Sequence, residues 1–390
     1  ESNTAVNRPL PLWPYTSSDN VNRARNSEPG KMSVNLCMQF VDYAWRFATV
    51  PAQEIALRLW QNVAHGGAAA FSVNGTLEQQ DMQAVEAARA VFRWLAEHER
   101  FYVGQANAAK VLLLGGAQRT GRSFSQSSYR GMFRLLSEEH IPFAVTDNMD
   151  WLGTRDFDLV IATDWAPAEL TKYSGPVLIV SPRPPEFPVA RVIRTWNDVQ
   201  GYMRVRDPSA FPSLAQTKLL MLNGDYTETE GPGLALTLVP PSMIGPPEKI
   251  HIDQQDTTRP GIVRKGRVTW IPWDTAGLYY KHSLPAHAGL LRDVIDRMLP
   301  RGRQLRTNAH PLVEMTVMRQ GERTLLHLIN LSGHTQTAYF APVPVRDIRV
   351  ALAGSWKRAQ AQRSVRDLPL RNGNEIVVPE VRDYELVVLE

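Results

Sequence analysis

One stretch, from Pro51 to Tyr102, constrains the fold of this chain more than any other. Its first part repeats apolar side chains at helical intervals and stops at Gly66-Gly67, which predicts a helix. The run AAAFSVNG follows without polar alternation, as expected for a strand that is buried on both faces. The third part has a single apolar stripe, which is typical of an amphipathic helix. A helix, a strand and a second helix in this order predict an α/β unit.

Length and composition exclude several classes of protein. A chain of 390 residues is too long for one ordinary domain, so we expect two or three. A formal charge of only +4, without long basic runs, argues against nucleic acid as the main partner. The single cysteine, Cys37, excludes an internal disulfide and a cysteine metal cage. No apolar run is long enough for a membrane span, which predicts a soluble protein with no membrane partner, either cytoplasmic or periplasmic or secreted.

The first fifty residues carry the side chains with the most chemical interest. Residues 1–31 are rich in Pro, Asn and Ser and predict a long loop, and its aromatic residues favour a functional loop over a disordered one. A strand-like or loop segment follows, from Met32 to Phe47. Because residue 1 is neither an initiator Met nor the start of a signal peptide, we expect the chain to begin inside a longer precursor.

A second pattern begins at Lys110 and indicates a doubly wound domain. Buried strands alternate with helices, which predicts a parallel sheet of flavodoxin-like or amidotransferase-like type. Gly115, Gly116 and Gly121 follow its first strand, but their spacing matches neither a dinucleotide fingerprint nor a P-loop, so a structural turn is favoured over a phosphate site. No cysteine stands at a nucleophile position, and we expect this domain to have no catalytic role and no cofactor.

The chain ends in short strands from about His310 onward, with a hairpin turn expected at Gly321. Their period-2 alternation predicts a small β-sandwich. The nine histidines show no ligand spacing such as HExxH, so no metal site is predicted.

Acidic, aromatic and cationic side chains cluster near the start of the chain and suggest recognition of a sugar. Aromatic rings bind the apolar faces of sugars, and polar side chains bind their hydroxyls. Glycosidases add a pair of carboxylates for the chemistry. Packing of a loop would explain the same residues equally well. The residues concerned are Glu1, Trp13, Tyr15, Asp42, Trp45 and Arg46.

Specific sequence motifs resemble the C-terminal portion of the family-42 glycoside hydrolases, the β-galactosidases. Arg58-Leu59-Trp60-Gln61 and Ala64-His65-Gly66 are similar to a helix that lies between the last two barrel strands of that family. In the family, the seventh barrel strand ends in the nucleophilic Glu, often as Met-Glu, and a loop leads from it into this helix. The motif WIPWDTAGLYY resembles a part of the family's trimerisation domain, and the last strands resemble its small β-domain.

The resemblance implies an α/β multidomain chain. Residues 1–108 would be the end of a (β/α)8 barrel, residues 109–308 a trimerisation-type α/β domain and residues 309–390 a β-sandwich. The implied function is a retaining exo-glycosidase of β-galactosidase type that acts on carbohydrate as a homotrimer. The alternative is a non-catalytic carbohydrate-binding or assembly protein with a degenerate barrel, and a nucleotide-binding regulator ranks last.

Site residues can be carried across from the family by position. Glu1 would match the nucleophile, with Asp42 as its rival, and the acid/base carboxylate would lie upstream of these residues. Asn74 lies where strand eight of the family continues as Arg-Trp-Arg, a departure that leaves the sugar unassigned. The residues expected to bind substrate are Trp13, Tyr15, Trp45, Arg46 and Asn74.

Overall fold

The computed structural model describes residues 2–3, 12–28, 30–115, 126–231, 233, 235–242, 245–246, 248, 251–252 and 257–390. The chain divides into two compact units. Glu1–Ala109, His140–Asn148 and Gln304–Glu390 form the first unit, and Lys110–Glu139 with Met149–Arg303 form the second. The three-domain division at residues 108 and 308 stays a prediction.

The first unit opens with a parallel sheet and its connecting helices. Three strands pair in the order β1-β2-β3, with one helix in each connection and a third helix after the last strand. The elements are β1 (Ser2–Asn3), α1 (Thr16–Ser27), β2 (Val34–Met38), α2 (Ala52–Ala64), β3 (Ala68–Ser72) and α3 (Gln83–His98). The α/β unit predicted around α2 is therefore present, although β3 is half-buried along its length and not fully buried as expected.

Helix α1 lies in the stretch that the sequence predicts to be a loop. The helix packs through amide and hydroxyl side chains, so its sequence shows no apolar period. Asn22 accepts a hydrogen bond from the Val145 amide (2.9 Å) and donates one to the Phe143 carbonyl (3.3 Å), both in strand β6 (Phe143–Thr146). Asn26 donates to the Asn22 carbonyl at 2.7 Å. Bonded polar side chains replace apolar contacts here, as the burial of polar groups requires.

Strand β2 is joined to α2 by the same kind of contact. The Asn62 side chain donates to the Asn35 carbonyl at 2.9 Å and to the Cys37 sulfur at 3.4 Å. The Asn35 side chain donates in turn to Asn62 Oδ1 at 2.8 Å and to Ser17 Oγ at 3.1 Å. All four side chains are fully buried, so one hydrogen-bonded network connects α1, β2 and α2.

Two antiparallel sheets complete the first unit and enclose one apolar core. Gly321, with a φ of +56°, forms the expected hairpin turn between two of the strands. The first sheet has the order β14-β17-β20, with β14 (Leu305–Thr307), β17 (Val345–Leu352) and β20 (Glu375–Val381). The second has the order β19-β18-β21-β16-β15-β4, with β4 (Ala106–Asn107), β15 (Val313–Gln320), β16 (Arg323–Asn330), β18 (Ala359–Ala361), β19 (Arg366–Asp367) and β21 (Tyr384–Leu389).

The second unit is built on a largely parallel sheet with the order β12-β13-β8-β7-β5. Every residue of its four parallel strands is buried, which explains their continuous apolar runs. The strands are β5 (Val111–Leu114), β7 (Leu159–Thr163), β8 (Val177–Val180), β12 (Val263–Lys265) and β13 (Val268–Ile271). The helices are α4 (Gln126–Glu138), α5 (Trp151–Thr154), α6 (Thr275–His282) and α7 (Pro285–Met298).

An antiparallel sheet is inserted between β8 and β12. Its order is β10-β9-β11, with β9 (Val192–Val205), β10 (Leu219–Thr229) and β11 (Leu236–Val239). Trp270 and Trp273 are fully buried beneath it and act as core residues. Of the glycines after β5, Gly115 ends the strand in a buried position, while Gly116 and Gly121 lie outside the described residues.

Candidate functional site

The candidate site lies where β2 and β3 end. Met38 pairs with Ser72, and the Gln39 amide donates to the Ser72 carbonyl at 2.9 Å, so the carboxyl ends of the two strands are adjacent. Ligands of parallel α/β sheets bind outside the carboxyl ends of the strands. The connection from β2 to α2 therefore occupies the edge at which a site is expected.

This connection, which we call the aromatic loop (Phe40–Thr49), is closed by its own backbone. Phe40 and Thr49 form an antiparallel bridge, and the Val41 amide donates to the Ala48 carbonyl at 3.2 Å. A 3-10 turn, Tyr43–Trp45, lies inside this closure. The loop thus has a defined shape of its own.

Asp42 and Arg46 stabilise the turn inside the aromatic loop. The Asp42 carboxylate accepts a hydrogen bond from the Tyr43 amide at 2.6 Å and caps the turn. Arg46 donates through Nε to the Tyr43 carbonyl at 2.9 Å, and its side chain is exposed. Trp45, in the same turn, is 63% exposed. Three of the predicted site residues, Asp42, Trp45 and Arg46, therefore lie together in one loop.

Trp13 and Tyr15 form a pair of their own at the start of α1. Their ring centroids are 5.1 Å apart at an interplanar angle of 65°, an edge-to-face arrangement. Tyr15 is buried, with 2% of its surface exposed, while Trp13 is half-buried. The Tyr15 ring therefore packs inside the first unit. Packing of this kind is the alternative to sugar binding given for these aromatic residues above.

Asn74 follows the carboxyl end of β3 and is half-buried. Its main-chain carbonyl accepts a hydrogen bond from the Gln79 side chain at 3.0 Å, which closes the turn after the strand. The residue thus stands at the same edge of the sheet as the aromatic loop.

The predicted nucleophile Glu1 lies outside the described residues. Its neighbour Ser2 pairs with Asn35 and Asn3 pairs with Leu36, both in parallel register. Ser2 is therefore level with the second residue of β2, three residues before the strand ends at Met38.

The strand that leads into α2 is β2, and the residue after its end is Gln39. The Met38-Gln39 pair resembles the Met-Glu of the family-42 enzymes, with Gln in place of Glu. The sequence analysis did not name Gln39, because it sought the pair at Glu1; the Met-Gln pair ahead of the motif helix was the available signal. Gln39 is fully buried, and neither atom of its carboxamide has a hydrogen-bond partner in the described part of the chain.

The first motif of α2, Arg58-Leu59-Trp60-Gln61, packs the helix against the C-terminal part of the chain. Arg58 donates to Glu54 and to the Tyr339 hydroxyl, both at 3.0 Å. Burial opposes the charge of Arg58, but Tyr339 and Glu54 outweigh it and raise the pKa of Arg58. Trp60 stacks on Tyr384 with centroids 4.4 Å apart. These side chains connect α2 to the C-terminal part of the chain.

Gln61 of the first motif and His65 of the second converge on one buried carboxylate, that of Glu314. Gln61 Nε2 donates to it at 3.1 Å, and His65 Nε2 lies 2.8 Å from its other oxygen. Thr316 donates to the Ala64 carbonyl at 2.6 Å beside them. His65 also forms the C-cap of α2. The two motifs of α2 thus connect this helix to β15.

Two kinds of site are absent from the described ranges of the chain. There, no three side chains of His, Cys, Asp or Glu come close enough together to hold a metal ion. Nor does any helix in those ranges combine the length and the apolar character that crossing a membrane requires.

Comparison with known proteins gives a fold and not a family. No family model matches the chain, and no curated protein does. Among solved structures, α-L-fucosidase isoenzyme 2 from Paenibacillus thiaminolyticus is similar over 100% of this chain and 65% of its own, with a TM-score of 0.76 and 16% identity. The chain has a glycoside-hydrolase-like fold.

Two β-galactosidases support the same conclusion. Gan42B, a GH42 β-galactosidase from G. stearothermophilus, is similar over 96% of this chain and 56% of its own, with a TM-score of 0.64 and 12% identity. The enzyme from Bacillus circulans sp. alkalophilus is similar over 97% of this chain and 58% of its own, with a TM-score of 0.65 and 10% identity. The chain therefore spans less than two thirds of the length of each of these three proteins.

Proposed function

We propose that this chain is the C-terminal portion of a retaining exo-glycosidase whose (β/α)8 barrel ends with β1, β2 and β3. The observation that carries the proposal is the similarity of the entire chain to a solved α-L-fucosidase. The two β-galactosidases add support, because they match 96% and 97% of the chain. The parallel order β1-β2-β3, with a helix in each connection, agrees with the end of such a barrel.

A retaining mechanism needs two carboxylates about 5–5.5 Å apart, one as nucleophile and one as acid/base. The candidates for the nucleophile in this chain are Glu1 and Asp42, and the acid/base would come from outside these residues. We favour Asp42, because it follows the carboxyl end of β2, whereas Ser2 pairs near the amino end of that strand.

The substrate-binding residues are proposed in two groups. Trp45 and Arg46 share the loop of Asp42 and are exposed, so a sugar can reach both. Asn74 lies at the same edge of the sheet. Trp13 and Tyr15 complete the proposed pocket from the start of α1, Tyr15 through its packing against Trp13.

Gln39 supports a second candidate function, a carbohydrate-binding protein that does not hydrolyse its ligand. A carboxamide has no anionic oxygen and cannot form a glycosyl-enzyme as a carboxylate does. If the position after Met38 is the one that matters for chemistry, the barrel binds sugar without turnover.

One experiment decides between these candidates. The full-length protein is incubated with activated 2-deoxy-2-fluoroglycosides, which trap the glycosyl-enzyme of a retaining enzyme, and labelled peptides are located by mass spectrometry. β-Galactosides and α-L-fucosides are the first probes, because they are the substrates named by the similar structures. A label on Asp42, abolished by Asp42→Asn but not by Glu78→Gln on an exposed loop, supports the proposal.

Other outcomes of the trapping experiment change the assignment. A label on Glu1 moves the nucleophile to that residue. Sugar binding without any turnover or label favours the non-catalytic candidate, and absence of both binding and turnover contradicts the two together.

We also propose that three copies assemble through the second unit, an expectation that comes from the sequence resemblance. Closed rotational symmetry would account for such an assembly without further partners. Light scattering after size exclusion measures the mass in solution, and a monomeric mass would contradict the trimer.

A further inference from the structure

The aromatic loop exposes three large rings within five residues. Tyr43, Trp45 and Phe47 are 55%, 63% and 71% exposed. Single exposed apolar side chains are ordinary, but contiguous ones mark binding surfaces. The rings alternate with Ala44 and Arg46, so the cluster is a property of this loop and not of a longer apolar run.

The exposure does not come from a frayed backbone. The Trp45 amide donates to the Asp42 carbonyl at 2.9 Å, and the Ala48 amide donates to the Trp45 carbonyl at 3.1 Å. The base of the loop is held by the Val50 amide, which donates to the Gln39 carbonyl at 2.8 Å. Of the three rings, that of Tyr43 also lies 5.7 Å from the ring of Phe40 at the base of the loop, so backbone hydrogen bonds and this ring contact together shape the loop. Rings presented on a closed loop lose little entropy on binding.

The side chains around the rings suit a carbohydrate. Tyr and Trp offer an apolar face together with a polar edge, which matches the alternation of C–H groups and hydroxyls on a sugar. Arg46 uses only Nε inside the loop, and in the described part of the chain its two terminal nitrogens make no hydrogen bond. Those nitrogens can therefore donate to hydroxyls of a ligand that lies on the rings.

We propose that Tyr43 and Phe47 bind the sugars of the leaving group, so that the substrate is an oligosaccharide or glycan chain and not a small glycoside. This inference rests on the proposed function. An exo-glycosidase encloses one terminal sugar, and the rest of the substrate extends outward from the pocket. Tyr43 and Phe47 each lie two residues from Trp45, which the proposed function assigns to the sugar pocket, and both rings are exposed.

The test compares two substrates of the full-length protein. A glycosyl fluoride carries no leaving-group sugar, whereas an oligosaccharide with the same terminal sugar does. The double variant Tyr43→Ala/Phe47→Ala should lower kcat/KM for the oligosaccharide by about 10-fold and leave that for the fluoride unchanged. Phe340→Ala is the matched control, because Phe340 is 61% exposed in the C-terminal part of the chain.

The opposing outcomes are distinct. An equal fall with both substrates gives the loop a structural role, and no fall with either shows that the rings touch no substrate; both overturn the proposal. A changed mass in solution for the variant shows that the rings cover a protein surface, which also overturns it.

Failure of the proposed function can be recognised separately. If the protein hydrolyses neither substrate, the affinity for the oligosaccharide is measured by calorimetry in the wild type and in the double variant. A roughly 10-fold weaker affinity in the variant then supports sugar binding by Tyr43 and Phe47 without hydrolysis, and an equal affinity overturns this binding role.

Discussion

The two parallel sheets of this molecule are packed by different chemistry. In the second unit, β5, β7, β8 and β13 are buried through apolar side chains on both faces. In the first unit, β2 is joined to its helices by amides and hydroxyls, with Asn35 and Asn62 at the centre. Apolar packing tolerates small shifts of position, whereas hydrogen bonds fix both distance and direction. The sheet that carries the candidate site is therefore held partly by directional contacts, which lie at Asn35 near the amino end of β2.

The difference implies different responses to substitution. An apolar core loses stability in proportion to the atoms removed and the cavity left behind. A hydrogen-bonded core loses stability when one partner is removed, because the other remains buried without water. Four changes test this contrast.

The largest effect is expected at Ile161, a fully buried residue of the central strand β7. Ile161→Ala should lower the free energy of unfolding by about 2–5 kcal/mol, because it removes buried methyl groups and leaves a cavity. Chemical denaturation measures the loss, and Ile161→Val should cost only about 0.5–1.5 kcal/mol. Equal losses for the two variants would contradict an apolar account of this sheet.

Asn62 should give the next largest effect. Asn62→Leu keeps the approximate size of the side chain but removes its bonds to Asn35 and Cys37, and should destabilise by about 1–3 kcal/mol. Gln53→Leu, at an exposed position of the same helix, is the control and should leave stability nearly unchanged. A neutral Asn62→Leu would show that apolar packing can replace the network.

Buried polar groups also make the first unit sensitive to acid. His327 lies among Tyr384 and Gln105, and burial lowers its pKa to about 3. Between pH 6.5 and pH 3 the unfolded chain therefore binds more protons than the folded one, so stability falls as the pH falls. The loss from this residue between pH 7 and pH 5 should be about 2 kcal/mol.

Denaturation at several pH values measures this effect. His327→Gln should flatten the slope of stability against pH, and His310→Gln, at an exposed position, should not. An unchanged slope in His327→Gln would assign the acid sensitivity to another group.

The smallest effect is expected at an exposed ion pair. Arg89 lies 2.5 Å from Glu86 on α3, with about half of each side chain exposed. Arg89→Ala should change the free energy of unfolding by no more than about 0.5 kcal/mol, because solvent screens such pairs. A loss comparable to that of Asn62→Leu would break the contrast, since polar contacts would then matter regardless of burial.

The same contrast explains how far the sequence could predict the fold. The continuous apolar runs VLLL and VLIV predict buried strands of the second unit, and the apolar period of α2 predicts that helix. Helix α1 could not be found this way, because Ser17, Asn22 and Asn26 take the positions that apolar residues would occupy. Strand β2 lies within the segment from Met32 to Phe47, which the sequence predicts to be strand-like or a loop.

The candidate site was predictable only in part. Asp42, Trp45 and Arg46 share a loop, as their closeness in sequence suggests, while Tyr15 packs inside the unit. The motifs Arg58-Leu59-Trp60-Gln61 and Ala64-His65-Gly66 lie on α2 and at its end, and their side chains contact Tyr339, Tyr384 and Glu314. A sequence motif indicates that particular residue types are needed at its positions. It does not show whether packing or chemistry requires them.

The position of the chain's one cysteine turns β2 into a natural probe of its own opening. Cys37 is fully buried, two residues before the carboxamide of Gln39 and next to the network of Asn62. A thiol reagent can reach it only when this strand separates from α2. The alkylation rate of the unmodified protein thus measures how often the edge beneath the aromatic loop comes apart, and protection by an added sugar would report occupancy without any engineered label.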